Sequence, residues 1–212
     1  MNDDAQKKHK NKMVRKKQVV DDAIARADRD QGLLVLLTGN GKGKSSSAFG
    51  MMARALGHDM KVGVAQFIKG SSDTGEENFF TGLGKFTAPS KHEGEPRVTW
   101  HVLGEGFTWD TQNLDRDKET ARQGWNVVRE MLNDPSFDLI ILDELTYPLT
   151  YGWLDMEQVL ADLAARPKMQ HVVITGRGAL SALVDAADTV TELADKKHAF
   201  RDGVRAQKGI DL

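Results

Sequence analysis

The chain has 212 residues, 40% of them hydrophobic, and a formal net charge of -2 at pH 7. This is enough apolar material for one sizeable core plus a tail or insertion, and the near-neutral charge argues against a general polyanion binder. Cysteine is absent, which excludes disulfides, thiolate metal sites and cysteine nucleophiles. No apolar run is long enough to span a membrane, and the first residues are polar rather than signal-like, so we expect a soluble cytoplasmic protein.

The first 30 or so residues form a basic segment unlike the rest of the chain. Seven lysines and arginines fall between positions 7 and 17, and Val20, Ile24 and Ala27 then recur at helical spacing. This pattern predicts a helix with one weak apolar face, either a solvated basic arm or a functional lid. No aromatic residue interleaves the lysines, which disfavours nucleic-acid binding. We therefore divide the chain into an arm or lid, 1–30, and a single domain, 31–212.

A glycine-rich loop follows the apolar run Leu33–Leu37 and precedes residues at helical spacing. Strand, loop and helix in this order are the context of a phosphate-binding loop, where backbone N–H groups and a helix N-terminus surround an anion. We expect Lys44 to reach the phosphates and the Ser45 hydroxyl to ligate Mg²⁺. The first glycine of G-x-x-x-x-G-K-[ST] falls on Thr38, so the loop is a variant. The alternative is a glycine-rich turn that binds nothing.

The next stretch contains a second buried strand over 61–68, an irregular excursion over about 70–97, a strand over 98–103 and a long helix over 114–132. In the excursion, Phe79 and Phe80 are candidate anchors. Lys69 is expected at the C-terminal edge of the second strand, where ligands bind in open α/β sheets. Phe107 and Trp109 lie in a glycine-flanked loop, where burial is less automatic than in a strand or helix. They are either core aromatics or functional residues.

The apolar strand over 137–143 ends in two adjacent carboxylates, Asp143 and Glu144. In phosphate-loop proteins such a strand places an acid beside Mg²⁺. If the strand continued, the two side chains would point to opposite faces, so one would serve the metal and the other a neighbour. The alternative is a pair of solvent-facing acids.

The remaining elements alternate between helices and strands. We predict a helix over 155–165, a strand over 171–175, a helix over 180–187 and a last strand over 189–193. Arg177 follows the strand over 171–175 and either braces a phosphate or is a surface arginine. The alternation predicts an α/β fold, a mostly parallel sheet with helices on both faces. The six histidines are scattered, so we expect no protein-built transition-metal site.

Together these stretches resemble the ATP:corrinoid adenosyltransferases of the cob(I)yrinic acid a,c-diamide type, which have a P-loop (RecA-like) fold. The resemblance covers about residue 30 to the end and is specific because many motifs occur in order. The motifs are Thr38-Gly-Asn-Gly-Lys-Gly-Lys44, Val64-Ala-Gln-Phe-Ile-Lys-Gly70, Gly106-Phe-Thr-Trp-Asp-Thr-Gln-Asn113, Leu142-Asp-Glu-Leu-Thr-Tyr147, Ile174-Thr-Gly-Arg-Gly178 and Ala206-Gln-Lys-Gly-Ile-Asp211. The family usually has threonines at positions 45 and 46, and the excursion after residue 70 is longer here than in typical members.

The resemblance implies that a cobalt(I) corrinoid attacks the 5′ carbon of ATP and that inorganic triphosphate leaves. It implies that Glu144 with Ser45 holds Mg²⁺, with Asp143 as the other candidate ligand. It also implies that Phe107 and Trp109 lie against the corrinoid and help to remove its lower axial ligand. The implied nucleotide contacts are Gly39, Asn40, Gly41, Lys42, Gly43, Lys44, Ser45, Ser46, Arg54 and Arg177. A flavodoxin-like electron donor and a homodimer are typical of the family, and no nucleic acid or membrane partner is expected.

Two other functions remain open from the residues. A P-loop NTPase or kinase would cleave ATP at the γ-phosphate. A nucleotide-dependent regulatory module would use the basic arm to engage a partner. The bond that breaks in ATP distinguishes these functions, because only attack at the 5′ carbon releases all three phosphates as one piece.

Overall fold

The computed structural model describes residues 2–68, 75–83, 96–104 and 114–210. Two units are present, Met1–Gln31 and Gly32–Leu212. In the first unit, helix α1 (Asn2–Arg26) begins well before the helical spacing of Val20, Ile24 and Ala27. Its apolar side chains are exposed, including Val19 at 67% and Ile24 at 67%. Side chains four residues apart pair along it, as Lys17 does with Asp21, and such pairs contribute about 0.2–0.5 kcal/mol each.

In the described part of the second unit, six parallel strands form one sheet in the order β3-β2-β4-β5-β1-β6. The strands are β1 (Leu34–Thr38), β2 (Val62–Gln66), β3 (Val98–Val102), β4 (Leu139–Asp143), β5 (His171–Thr175) and β6 (Thr189–Glu192). Each lies within or next to a predicted strand. The predicted parallel α/β sheet is confirmed. Strand β5 lies between β1, which carries the glycine-rich loop, and β4, which carries the acidic pair.

In the described residues of the second unit, the helices are α2 (Lys44–Gly57), α3 (Gly75–Leu83), α4 (Leu114–Asn133), α5 (Thr146–Thr150), α6 (Met156–Ala165) and α7 (Ser181–Ala186), with a 3-10 turn at Ala199–Asp202. Helix α3 corrects the expectation that the whole excursion over 70–97 is irregular. Phe80 is only 5% exposed, whereas Phe79 is 59% exposed, so of these two candidates Phe80 is the anchor. Phe80 is buried next to Phe49 of α2, with ring centroids 6.2 Å apart. This tertiary contact stabilises α3, whose sequence alone did not predict a helix.

The core lies on both faces of the sheet, as β4 illustrates. Ile140 and Leu142 belong to one buried cluster with residues of α4, α6 and α7. Leu139 and Ile141 belong to the other cluster, with residues of α2 and with Phe80. Successive side chains of a strand point to opposite faces, so a continuous apolar strand requires cover on both sides. The predicted helices on both faces are therefore confirmed.

Parallel strands bring their carboxyl ends to one edge of the sheet. The glycine-rich loop after β1, the acids at the end of β4 and the Gly176 turn after β5 consequently share that edge, where open α/β sheets bind ligands. None of the helices described here has the length and apolarity needed to cross a membrane.

Ile140→Ala should lower the free energy of unfolding by about 2–5 kcal/mol, because it empties a fully buried position. Ile140 is 0% exposed. Met169, at 55% exposed, provides the control, and Met169→Ala should stay within about 0.5 kcal/mol of the parent chain. Urea unfolding of both variants measures the difference. Equal stabilities would contradict the described core.

Candidate active site

The glycine-rich loop takes a shape that only glycine accommodates at several positions. Gly39 and Gly43 have φ angles of 97° and 107°, in the left-handed region that L side chains rarely adopt. A Cβ on Gly41 would lie 2.8 Å from the carbonyl oxygens of both Leu193 and Ala194. The Gly41 N–H donates to the Leu193 carbonyl at 2.7 Å. The loop is thus fixed against the segment that follows β6.

Helix α2 begins directly at the end of this loop. Gly43 is its N-cap, without a side-chain hydrogen bond, and the first turn contains no acid. Because no side chain caps this helix end, its first N–H groups and the positive end of its dipole face the loop. This arrangement suits a phosphate group.

Lys44, the first residue of α2, is a buried cation at 5% exposed. Its Nζ donates to the Gly41 carbonyl at 2.8 Å. Burial lowers the pKa of Lys44, and the Glu144 carboxylate raises it in part. Arg177 lowers it further. Asp143 has a smaller raising effect and Lys42 a smaller lowering effect. The predicted site residues on the loop, after β4 and after β5 therefore act on one ammonium group.

The opposite-face placement of the two acids required the strand to continue through Glu144. It does not continue. Strand β4 ends at Asp143, and Glu144 has a φ of 60°, which is uncommon for a residue with a side chain. The Glu144 N–H donates to Thr175 Oγ1 at 3.0 Å. The backbone turns at Glu144, so the opposite-face rule for strands does not apply, and both carboxylates influence Lys44.

Asp143 is 4% exposed, and each of its carboxylate oxygens accepts a hydrogen bond. Thr175 Oγ1 donates to Oδ1 at 2.7 Å, and Gln66 Nε2 donates to Oδ2 at 3.0 Å. Neither Thr175 nor Gln66 was among the predicted site residues. A polar side chain near the end of an apolar strand was the available signal, because a buried amide or hydroxyl requires a partner.

The other predicted nucleotide contacts differ in their exposure and in the element that carries them. Ser45 is half-buried and Ser46 exposed in the first turn of α2, while Asn40 is exposed on the loop. Arg177 is exposed between Gly176 and Gly178, whose φ angles of 144° and 62° turn the chain after β5.

Arg54 is not brought to the loop. It is exposed in the last turn of α2, ten residues after Lys44, which corresponds to about 15 Å along the helix axis. Phe107, Trp109 and Lys69 lie outside the described residues.

The side chains near Lys44 include oxygen donors that suit Mg²⁺. The Ser45 hydroxyl and the carboxylates of Glu144 and Asp143 are hard ligands, and Mg²⁺ commonly takes one or two such groups and completes its shell with phosphate and water. Among the described residues, no three His, Cys, Asp or Glu side chains form a metal site by themselves. The donor set therefore fits a nucleotide-associated Mg²⁺ rather than a protein-built cage.

A loop of this geometry at the carboxyl edge of a parallel sheet is typical of P-loop nucleotide-binding proteins, and the chain is of that class. Within the class, a sequence model of the family described as ATP:corrinoid adenosyltransferase BtuR/CobO/CobP matches residues 30–212. The chain belongs to this family.

Relatives named as corrinoid adenosyltransferases match over nearly their whole length. The protein from Pseudomonas aeruginosa is 52% identical over 214 residues, covering 100% of both chains. The Escherichia coli (strain K12) protein is 44% identical over 204 residues, covering 96% of this chain and 97% of its own. The corrinoid adenosyltransferase CobA of Salmonella typhimurium is 45% identical over 192 residues, covering 91% of each chain.

Gly41→Ala should weaken ATP binding by on the order of 10-fold or more, because the loop must move and its N–H groups lose alignment with the phosphates. The clash is with backbone carbonyls and cannot be relieved by a side chain. Gly50→Ala is the control, since a Cβ there meets nothing within 4 Å. This helical substitution should leave ATP binding unchanged and raise stability by about 0.5–1 kcal/mol. Calorimetry with ATP compares them, and equal affinities would contradict the loop assignment.

Proposed function

We propose that this chain transfers the 5′-deoxyadenosyl group of ATP to the cobalt of a reduced cob(I) corrinoid and releases triphosphate. The observation that carries the proposal is the family match over residues 30–212, which coincides with the unit that contains the loop. ATP and the corrinoid are both substrates. The corrinoid class includes cobyrinic acid a,c-diamide, cobinamide and cobalamin, and the role lies in adenosylcobalamin biosynthesis or salvage.

The chemistry explains why the loop carries two lysines and no acid. When the cobalt attacks the 5′ carbon, the carbon–oxygen bond breaks and its electron pair stays on the triphosphate. The growing negative charge must be stabilised along the whole leaving group. The loop N–H groups, Lys42 and Lys44 are proposed to supply that stabilisation, with Arg177 assisting from the end of β5.

Lys44 supports this role through its burial. Burial lowers the pKa of the Lys44 ammonium, even though the Glu144 carboxylate partly compensates. A triphosphate would add negative charge around Nζ and favour the charged form. The free protein thus holds a cation whose environment improves when the nucleotide binds.

Mg²⁺ is proposed to be held by Ser45 and Glu144, with Asp143 as the neighbouring carboxylate. When bound, Mg²⁺ neutralises part of the charge on the triphosphate. The buried Oε2 of Glu144 and the half-buried Ser45 support this assignment. Asp143 is held by Gln66 and Thr175, which supports a role in fixing the end of β4.

The corrinoid half of the site is proposed from the family resemblance. Phe107 and Trp109 would contact the corrinoid and promote loss of its lower axial ligand, so that cobalt is more easily reduced. The arm, 1–30, would act as a lid that shields cobalt(I) from water. A flavodoxin-like protein would supply the electron, and a homodimer would be the assembly. We propose no nucleic-acid partner.

Lys44→Met should abolish the rise in melting temperature that ATP produces, without lowering the melting temperature of the free protein. The folded-state pKa of Lys44 is lowered by burial, so below that pKa the charged group opposes folding. This free-energy cost of folding disappears as the pH rises from the folded-state pKa to the higher unfolded-state pKa. Lys168 is exposed, and Lys168→Met is the control that should keep the ATP effect. Scanning fluorimetry measures all three chains, and a retained ATP effect in Lys44→Met would refute the phosphate role.

Product analysis tests the function itself. With ATP, Mg²⁺ and a chemically reduced corrinoid, we expect triphosphate and a light-sensitive adenosyl-corrinoid in equal amounts. An NTPase or kinase would instead form ADP, with or without corrinoid. A regulatory module would bind ATP and release almost nothing. ADP as the main product would overturn the proposal.

A further inference from the structure

A chain of buried and partly buried hydrogen bonds crosses four strands and ends at the acidic pair. Trp100 Nε1 of β3 donates to Gln66 Oε1 of β2 at 3.0 Å. Gln66 Nε2 donates to Asp143 Oδ2 at 3.0 Å, and Thr175 Oγ1 donates to Asp143 Oδ1 at 2.7 Å. Thr175 Oγ1 also accepts the Glu144 N–H. Connected polar groups at low dielectric stabilise one another and fix a single arrangement.

The Gln66 amide has only one orientation in this chain. An indole N–H is only a donor, so the amide oxygen must face Trp100 and the amide NH₂ must face Asp143. Gln66 and Asp143 are directly paired in the register of β2 and β4. Because Gln66 is 1% exposed, water cannot readily replace either bond.

The other end of the chain reaches the helix that carries Lys44. The Trp100 ring stacks on Phe49 of α2, with centroids 5.3 Å apart and an interplanar angle of 25°. Phe49 is 4% exposed. The ring that orients the Gln66 amide is therefore itself held against the phosphate-loop helix.

We propose that Gln66 is a positioning residue that acts through Asp143 on Glu144, the carboxylate assigned to Mg²⁺, with Trp100 fixing its amide. Gln66 touches neither Glu144 nor Ser45 in the hydrogen bonds described. It acts by holding Asp143, which with Thr175 fixes the turn at Glu144. The proposal rests on the Mg²⁺ role assigned above and extends it to two residues on β2 and β3.

Gln66→Met tests the proposal, because methionine has a similar length and volume but makes neither hydrogen bond. Calorimetry of ATP binding over a Mg²⁺ series should show that the Mg²⁺ concentration required for half-maximal affinity rises about 10- to 100-fold, as for other residues that orient metal ligands. ATP affinity without Mg²⁺ should stay at the parent value. Trp100→Phe keeps the ring stacking and removes only the N–H, so its shift should have the same direction and be smaller.

The double variant separates positioning from packing. If Trp100 acts through Gln66, then Gln66→Met with Trp100→Phe should require the same Mg²⁺ concentration as Gln66→Met alone. In NMR spectra, the Trp100 indole N–H, identified by its absence in Trp100→Phe, should shift when MgATP binds the parent chain. That shift should be lost in Gln66→Met.

Gln170 provides a matched control because it is a second buried glutamine, 2% exposed. Its Nε2 donates to the carbonyls of Met131, Asp134 and Phe137 at 3.3, 3.1 and 3.3 Å. These contacts lie at the end of α4 and before β4, away from the acidic pair. Gln170→Met should lower the melting temperature and leave the Mg²⁺ dependence unchanged.

An unchanged Mg²⁺ dependence in Gln66→Met, with a lowered melting temperature like that of Gln170→Met, would overturn the positioning role. If Gln66→Met does not fold, Trp100→Phe decides, and a parental Mg²⁺ dependence there would overturn it equally. Additive effects in the double variant would overturn the link from Trp100 through Gln66. Failure of the proposed function would be seen in a different measurement, because product analysis of the parent chain would then give ADP.

Discussion

Burial of the Lys44 ammonium at the carboxyl edge of the sheet is the constraint on which the site depends. A desolvated cation requires nearby negative charge, and Glu144 and Asp143 provide part of it while Arg177 and Lys42 oppose it. The ends of three strands must therefore stay in register around one group. The two carboxylates do not fully offset the effect of burial, because the pKa of Lys44 stays lowered. This makes the edge suited to a polyphosphate, which carries several negative charges.

The architecture satisfies that constraint through close backbone approach. Strand β1 is flanked by β5 and β6, and the loop after β1 lies directly on the segment after β6 through the Gly41–Leu193 hydrogen bond. On the other side, β5 places Thr175 between the loop strand and β4. Thr175 joins Asp143 and the Glu144 backbone, so the acidic turn and the loop are fixed to the same sheet rather than to flexible connections.

The function requires the chain to stabilise a leaving group that carries all the phosphates of ATP. On the proposed assignment, the loop N–H groups, the two loop lysines and the oxygen ligands for Mg²⁺ perform the nucleotide half of that task.

The sequence by itself determined the order of the six strands, most of the helices between them, the glycine-rich loop and the family, because these depend on local periodicity and on residues close together in the chain. Only the tertiary structure decided that α3 forms around Phe80 and that the chain turns at Glu144. It alone linked Gln66 to Asp143 and Trp100, which are 77 and 34 positions away. Such contacts are set by cross-strand register between distant segments. A polar residue in an apolar strand indicates that a hydrogen-bond partner is needed, but the sequence does not identify that partner.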